Sequence, residues 1–300
     1  MDFRQLWVFY NVAKYKSFSI AAEKLFVTQP LISIKVKQLE NAYKIELIER
    51  SRRKIALTNA GEILFSYAEK IFNIVKEADN NMEDMKGIKF GNLKISAGLT
   101  LGTYYLPPLL ASYRKKYPNI EIQMKVKNKQ EVIGDILAFR DDLGFVGYME
   151  FNEKLVITPL WEEELVLIVS PSHEFARLKS VPLSKLNGQP FILREKGSGT
   201  RELIEEKLDK GQVSINAVME LGSHEAIKRA VEVGLGISII PTCAVKREVD
   251  AGPLKIIRLT KKKIFLKYYM IYHKDKYLSH IIQAFIEMAL ELSNHHSEGK

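Results

Sequence analysis

The sequence predicts an α/β fold in three parts: a small helical module at residues 1–60, one long helix at 61–88 and a larger α/β region at 89–300. Three observations carry this division. Positive charge is concentrated in the first part, an uninterrupted seven-residue apolar repeat marks the second, and strand-like and helix-like segments alternate through the third.

The 300 residues are 46% hydrophobic and 27% charged, the balance of folded domains rather than of disordered or fibrous chains. The longest apolar stretches, such as Leu165 to Val169 and Ile237 to Ile240, fall far short of the roughly 20 residues that span a bilayer, and read as buried strands. No basic leader precedes an apolar segment at the N-terminus, so a cytoplasmic location with no membrane partner is expected. Cys243 is the only cysteine, which excludes an intramolecular disulfide and any multi-cysteine metal site. It is expected to be a buried structural residue. The net charge is +9, and residues 1–60 hold 11 Lys and Arg against 5 Asp and Glu, a net of +6. A module facing a polyanion would have that distribution.

Leu6, Val8, Phe9, Val12 and Ala13 recur at helical spacing and predict a first helix. Ser17 or Ser19 caps the next helix, whose Ala21, Ala22 and Leu25 allow a close crossing. Thr28 is placed as the N-cap of a third helix running to about Tyr43, with Pro30 near its start where the missing N–H costs nothing. Leu31, Ile32, Val36 and Leu39 are expected in the core, leaving Gln29, Ser33, Lys35 and Lys37 outside. A short helix, a tight turn and a polar-faced helix make a helix-turn-helix, whose second member enters a DNA major groove. Arg50, Arg52, Arg53 and Lys54 then fall within five positions between apolar anchors, as in a β-wing riding along phosphates.

From Thr58 to about Lys86 there is no proline. Leu64, Ile71, Ala78 and Met85 recur every seven residues, with Ala68, Val75 and Met82 four residues after the first three. That seam predicts pairing with a second helix, hence a homodimer or homotetramer reading two DNA half-sites.

Beyond Gly91, strands are expected at Leu93 to Ala97, Ile120 to Val126, Leu143 to Val146, Leu165 to Val169, Phe191 to Leu193, Val218 to Leu221, Ile237 to Ile240 and Lys267 to Tyr272. Intervening helices fall near 107–117, 130–138, 200–210 and 223–233, with a last helix over 277–292. This alternation predicts largely parallel sheets. Thr100 and Thr103 follow the first strand just before a helix, where hydroxyls and free N–H groups favour an anion. Lys196-Gly197-Ser198-Gly199-Thr200-Arg201 opens another helix, with Ser198 and Thr200 as hydroxyl donors, Gly199 allowing close backbone approach and Arg201 as an oxyanion clamp. Gly147 and Tyr148, ending a strand, are further pocket candidates.

The chain resembles the LysR-type transcriptional regulators. In the first sixty residues the resemblance lies in Ala21-Ala22, Thr28-Gln29-Pro30 with Ser33, Leu39-Glu40, Arg50, and Leu57-Thr58 with Ala60-Gly61. Further on it lies in Ile95 to Thr100, Leu106-Pro107, Tyr117-Pro118, Asp142 to Val146 and Gly234 to Pro241. It implies a winged helix-turn-helix at 1–60, a dimerising linker helix at 61–88, and a two-lobed effector domain at 89–300 that is similar to periplasmic binding proteins. The first lobe would take about 92–162 and 267–300 and the second about 163–266, with crossovers near 160–164 and 264–269.

The resemblance gives Gln29, Pro30, Ser33 and Lys37 the reading of the promoter, with Thr28 at the same DNA-binding helix start, and Lys35, Arg52 and Arg53 the phosphates. Ile34 departs from the family, which often carries Arg or another polar residue there, so the sequence recognised could differ. A small anionic effector would be held by Thr100, Thr103, Gly147, Ser198, Gly199, Thr200 and Arg201. RNA polymerase is a further candidate partner. No cofactor, metal or catalysis is expected: there is no G-x-S-x-G, H-E-x-x-H or G-x-x-x-x-G-K-[ST], and the six His are scattered. A solute-binding protein without a transcriptional role is the alternative reading of the α/β region.

Overall fold

Asp2 starts the first helix: its side chain accepts from Arg4 N at 3.1 Å while the Gln5 side chain accepts from Asp2 N at 3.3 Å, a reciprocal capping box. The computed structural model describes residues 2–51, 54–84, 91–260 and 263–298. Contacts divide them into two compact units, one reaching to Glu83 and including Ala138–Arg140, the other Asp84–Leu137 with the chain from Asp141 onward.

In the first unit, α1 (Phe3–Tyr15), α2 (Phe18–Lys24) and α3 (Gln29–Tyr43) precede a two-stranded antiparallel wing, β1 (Ile48–Ser51) and β2 (Lys54–Leu57), and then α4 (Asn59–Asp84). Ser17 caps α2, accepting from Ile20 N at 3.2 Å. Thr28 occupies the N-cap position of α3 but makes no side-chain capping bond. Ile32, Val36 and Leu39 are fully buried, whereas Leu31, expected in the core, is 42% exposed. Each residue turns the helix by about 100°, so a face centred on Ile32 and Val36 leaves Leu31 outside.

The long helix behaves differently along its length. Phe65 and Phe72 stack on α1, with Trp7 and Phe72 ring centroids 4.5 Å apart and Tyr10 and Phe65 5.6 Å apart. Ala68 is fully buried and Leu64 and Ile71 pack against the same core. The expected seam therefore splits. Its first half serves this unit's own core, while Val75, Ala78 and Met82 are exposed. Met85 lies outside the described residues.

The second unit begins with β3 (Gly91–Gly98). A π-helical turn (Leu101–Tyr105) leads into α5 (Leu106–Lys116), then β4 (Ile120–Lys127), α6 (Lys129–Leu137), β5 (Leu143–Gly147) and β6 (Leu155–Val169). Next come β7 (Ser180–Pro182), β8 (Pro190–Arg194), α7 (Gly199–Lys210), β9 (Asn216–Leu221), α8 (His224–Glu232) and β10 (Ser238–Pro241). The chain ends through α9 (Lys246–Ala251), β11 (Lys255–Thr260), β12 (Ile264–His273) and α10 (His280–Glu298). Strands β7 and β11 and helix α9 were not expected from the sequence. The last helix begins after Ser279, which accepts from Ile282 N, rather than at Tyr277.

The sheets are mixed rather than largely parallel. The main sheet runs β4-β3-β5-β12-β6-β11-β7 with β10 also on β6, and β8 pairs with β9 separately. Pairs β3·β4, β3·β5 and β8·β9 are parallel, but β12 runs antiparallel to both β5 and β6. The reason is β6, a 15-residue strand of which only the last third was expected, which pairs with β12 from Leu155↔His273 to Leu165↔Ile264. The expected crossovers, 160–164 and 264–269, lie side by side in this ladder. Leu167, Val169, Phe191 and Ile239 are buried in the same core as Leu93, Ile95 and Phe145.

Candidate functional site

The first site is the outer face of α3. Gln29, Pro30 and Lys37 are exposed, Ser33 and Lys35 half-exposed, and Thr28 stands exposed at the helix start. The turn before α3 is tight because Phe26 takes φ +53° and Val27 N returns to Ala22 O at 3.0 Å. The inner end of α3 is fixed to the wing by Glu40, 8% exposed, whose Oε1 accepts from Leu47 N at 3.0 Å and Ile48 N at 3.3 Å. Thr58 closes the other side: its hydroxyl donates to Glu46 O at 2.7 Å and accepts from Gly61 N at 3.0 Å. Helix, wing and long helix thus form one rigid presentation surface. The wing residues Arg52 and Arg53 lie outside the described residues.

The second site is a cleft in the α/β unit. Its inner chamber, about 30 Å³, is bounded by Thr100 and Gly147 on one side and Ser198, Gly199 and Thr200 on the other, with Tyr268 beneath. Thr100, Ser198 and Thr200 are each 4–5% exposed. Thr100 begins the helical run into α5 and Ser198 is the N-cap of α7, so two helix starts, with their unbonded N–H groups, border the chamber. The Tyr268 hydroxyl is buried beside Thr100, and burial holds its pKa well above the usual phenol range. An oxyanion there would meet hydroxyls and helix dipoles, which suits its charge.

The two sides approach closely. A Cβ on Gly199 would lie 2.1 Å from Gly147 O, so only glycine fits. Lys129 N donates to Gly197 O at 3.1 Å, and the Lys129 ammonium reaches Tyr148 O at 3.2 Å and pairs with Glu202. Tyr148, with φ +55°, donates to Glu206. This rim brings the end of β5 and the start of α6 against α7.

Leu99, Lys127, Asn128 and Arg194 line both this chamber and a wider outer one of about 250 Å³, which adds Val126, Glu131, Glu195 and Gly222. Three expected residues are not among the lining: Tyr148, whose hydroxyl is turned to Glu206, Thr103 and Arg201. Thr103 is exposed on the π-helical turn, which carries it away from the end of β3. Arg201 turns back along its own helix: Nε donates to Glu205 at 2.8 Å, and the same guanidinium reaches Glu220 and, at 2.9 Å, the carbonyl of Arg194. Arg194 lines the cleft together with Lys127 and Lys129, and was missed in the sequence although it directly follows the predicted strand Phe191 to Leu193, where strand C-termini gather ligands. The same rule applied to β4 would have found Lys127 and Asn128. Nothing in the sequence marks Tyr268, which comes from the middle of an antiparallel strand.

Cys243 is half-buried rather than fully buried; burial and the nearby Glu163 push its thiol pKa up, so it is held as the thiol. Among the described residues no group of three or more His, Cys, Asp or Glu could hold a metal, and no helix is long and apolar enough to cross a membrane.

A winged helix-turn-helix and a polar, two-sided α/β cleft in one chain define a ligand-responsive DNA-binding regulator. Family comparison agrees: residues 3–62 match the bacterial regulatory helix-turn-helix proteins of the lysR family, and residues 87–294 match the LysR substrate binding domain. The chain belongs to the LysR family of transcriptional regulators. It is similar to the HTH-type transcriptional activator CmpR of Synechocystis, 37% identical over 94% of this chain and 93% of CmpR. The regulatory domain of Synechocystis CcmR, solved in complex with 2-PG, is 31% identical, with a TM-score of 0.63 over 68% of this chain and 97% of that one. Full-length CbnR in complex with its target DNA shares the fold, with a TM-score of 0.70 at 23% identity over 98% of this chain and all of that one.

Proposed function

We propose that the chain binds double-stranded promoter DNA through α3 and the wing, and that a small anion in the cleft adjusts that binding. The observation that carries the effector reading is the inner chamber, where three buried hydroxyls and two helix starts surround a space with no carboxylate in its lining. The effector class is a carboxylate, phosphate or sulfur oxyanion; 2-PG, the molecule bound to the CcmR domain, is the first to try. Gln29, Pro30, Ser33 and Lys37 read bases, with Thr28 beside them at the helix start, and Lys35, Arg52 and Arg53 hold phosphates. In the cleft, Thr100, Gly147, Ser198, Gly199 and Thr200 keep their assigned roles, while Arg194 takes the place expected of Arg201.

The same reading makes the protein a cytoplasmic, non-enzymatic regulator with no cofactor beyond its effector, and RNA polymerase is a partner at the promoter. It works as a homodimer or homotetramer. Supporting this, Ile63, Tyr67, Ile74, Val75 and Met82 are 42–61% exposed on α4, an apolar surface that a second copy of the helix would cover.

The test is fluorescence anisotropy on a fragment from upstream of its own gene, against scrambled DNA, with and without millimolar 2-PG, phosphate and sulfate. Specific binding that an anion shifts, and that Thr200→Val no longer lets it shift, is the expected result. Loss of all DNA binding even at low salt would overturn the DNA reading. An unchanged anion response in Thr200→Val would overturn the cleft.

A further inference from the structure

The turn that begins at the inner chamber ends at the joint of the α/β unit. Thr100 lines the chamber, and the π-helical turn that follows it, Leu101–Tyr105, gives its last two side chains different partners. Tyr104 packs against the core of Val166, Ile168, Ile227 and Ile240, with its ring centroid 6.4 Å from that of His224. Tyr105 packs on Trp161 and Tyr268, with centroids 5.2 and 5.4 Å away, and its hydroxyl donates to the Glu163 carboxylate. Single π turns of this kind are frequent at functional positions.

Strand β6 is the joint because it changes partners along its length. From Leu155 to Leu165 it pairs with β12, in the half of the unit that holds β3, β4 and β5. From Leu165 to Val169 it pairs with β10 and β11, in the half to which β8 and α7 are tied through Ile192 N and Ile237 O at 2.8 Å. Glu163 stands just before that change. Glu164 beside it pairs with the exposed Lys263 at 3.0 Å, whereas Glu163, half-buried, accepts a second hydrogen bond from the thiol of Cys243. Cys243 sits on the turn Thr242–Ala244 that follows β10, and the Thr242 hydroxyl anchors that turn to β6 by donating to Glu164 O at 2.9 Å. Burial and the contact with Glu163 raise the pKa of both the Tyr105 phenol and the Cys243 thiol, so both keep the protons they donate.

One carboxylate therefore accepts from a phenol of one half and a thiol of the other. A change of angle about β6 alters the distance between Tyr105 and Cys243, and a carboxylate bonded to both opposes it. At the rim the same halves meet where Lys129 N donates to Gly197 O at 3.1 Å and where Gly199 lies against Gly147 O. We infer that Glu163 is a positioning residue: by bridging Tyr105 and Cys243 it latches the α/β unit closed, so that the chamber is formed in advance of an effector. A site formed in advance spends less of the binding energy on closure. The value of the latch to an effector rests on the anion reading given above; the latch itself does not.

Hydrogen exchange of the Lys129 amide reads closure without any ligand, because that N–H is released when the rim parts. In the full chain, Tyr105→Phe keeps the ring and removes only the hydroxyl, and it is expected to speed this exchange about fivefold or more, the effect of one hydrogen bond to a charged group. Glu163→Gln, with one acceptor oxygen for two donors, should do the same. Cys243→Ser keeps a donor and should stay within about twofold of the wild type, while Cys243→Ala should be faster. Glu164→Gln removes a charge one residue along and should also stay within about twofold.

The latch is overturned if Tyr105→Phe and Glu163→Gln leave the Lys129 amide at its wild-type rate while speeding only the slow core amides of β3, which is what a purely structural contribution would do. It is equally overturned if Glu164→Gln opens the rim as far as they do, or if the Lys129 amide exchanges no faster than those core amides in every variant. Millimolar inorganic phosphate separates the latch from the effector reading, because it should slow the exchange of Tyr105→Phe back toward the wild-type rate. If phosphate and 2-PG alter exchange in neither the wild type nor the variants, the effector reading fails, while the latch stands or falls on the ligand-free rates.

Discussion

At Gly61 a Cβ would lie 2.0 Å from the Leu47 carbonyl oxygen, so the start of the long helix presses directly on the backbone before the wing. Gly61→Ala is therefore expected to cost about 2–3 kcal/mol of stability, visible as a lowered midpoint in denaturant, with weaker DNA binding because the wing is displaced. Glu40 is the polar counterpart. Glu40→Ala leaves the Leu47 and Ile48 N–H groups without their acceptor, at a cost of about 2–3 kcal/mol in the same measurement. His224 brings a pH dependence. Folded, it stays neutral down to about pH 3; unfolded, it protonates near 6.5, so unfolding takes up a proton between those values. Its contribution is complete above pH 6.5 and is lost as pH falls, by about 2–3 kcal/mol at pH 4.5. Urea unfolding from pH 7.5 to 4.5 should show this slope, and His224→Gln should flatten it. Residue identity was legible where a motif names a position, as at Thr58 and Gly61. It was not legible for Glu40 or Arg194, whose partners lie seven or thirty residues away and meet them only after folding.

Among the elements, α3 and α4 carry the two clearest expectations. Lys37 is exposed on α3, and if it neutralises one phosphate, Lys37→Ala should weaken binding to all DNA alike and reduce the log–log salt slope by about 0.9. Ile34, 53% exposed on the same helix, faces away from the core. If the exposed second half of α4 pairs with a second copy, as proposed, Ile74→Asp should shift the sedimentation equilibrium toward monomer while leaving the α1 to α4 aromatic core intact. The seven-residue repeat revealed that the helix has an apolar seam. It did not reveal that Phe65, Ala68 and Phe72 turn half of it inward, because periodicity is the same whichever partner covers it.

For the whole molecule, effector and DNA sites in one chain must obey reciprocity: whatever factor an anion imposes on DNA affinity, saturating DNA must impose on anion affinity. Calorimetric titration of the effector with and without operator DNA checks this, and unequal factors would show that the two sites do not share one equilibrium. Apart from β7, α9 and β11, the order of helices and strands through both units was readable from the sequence, since capping residues, period and strand-length apolar runs are local. Sheet direction was not. β6 continues through Glu162, Glu163 and Glu164, expected to be part of a crossover, because its ladder with β12 satisfies the backbone of residues whose side chains have no strand signature.

The sequence by itself determined the N-terminal helix-turn-helix with its outward polar face, the α/β region that follows the long helix, and the two hydroxyl-bearing helix starts, because each is set by spacing within about a dozen residues. Only the tertiary structure decided that Arg194 rather than Arg201 faces the cleft. Both are arginines near the same helix start. Glu205 and Glu220 draw Arg201 away, while Glu195 and a buried neutral His224 hold Arg194 in place. Competition among charged partners distant in sequence is resolved by geometry alone, and that competition chooses which arginine lines the cleft.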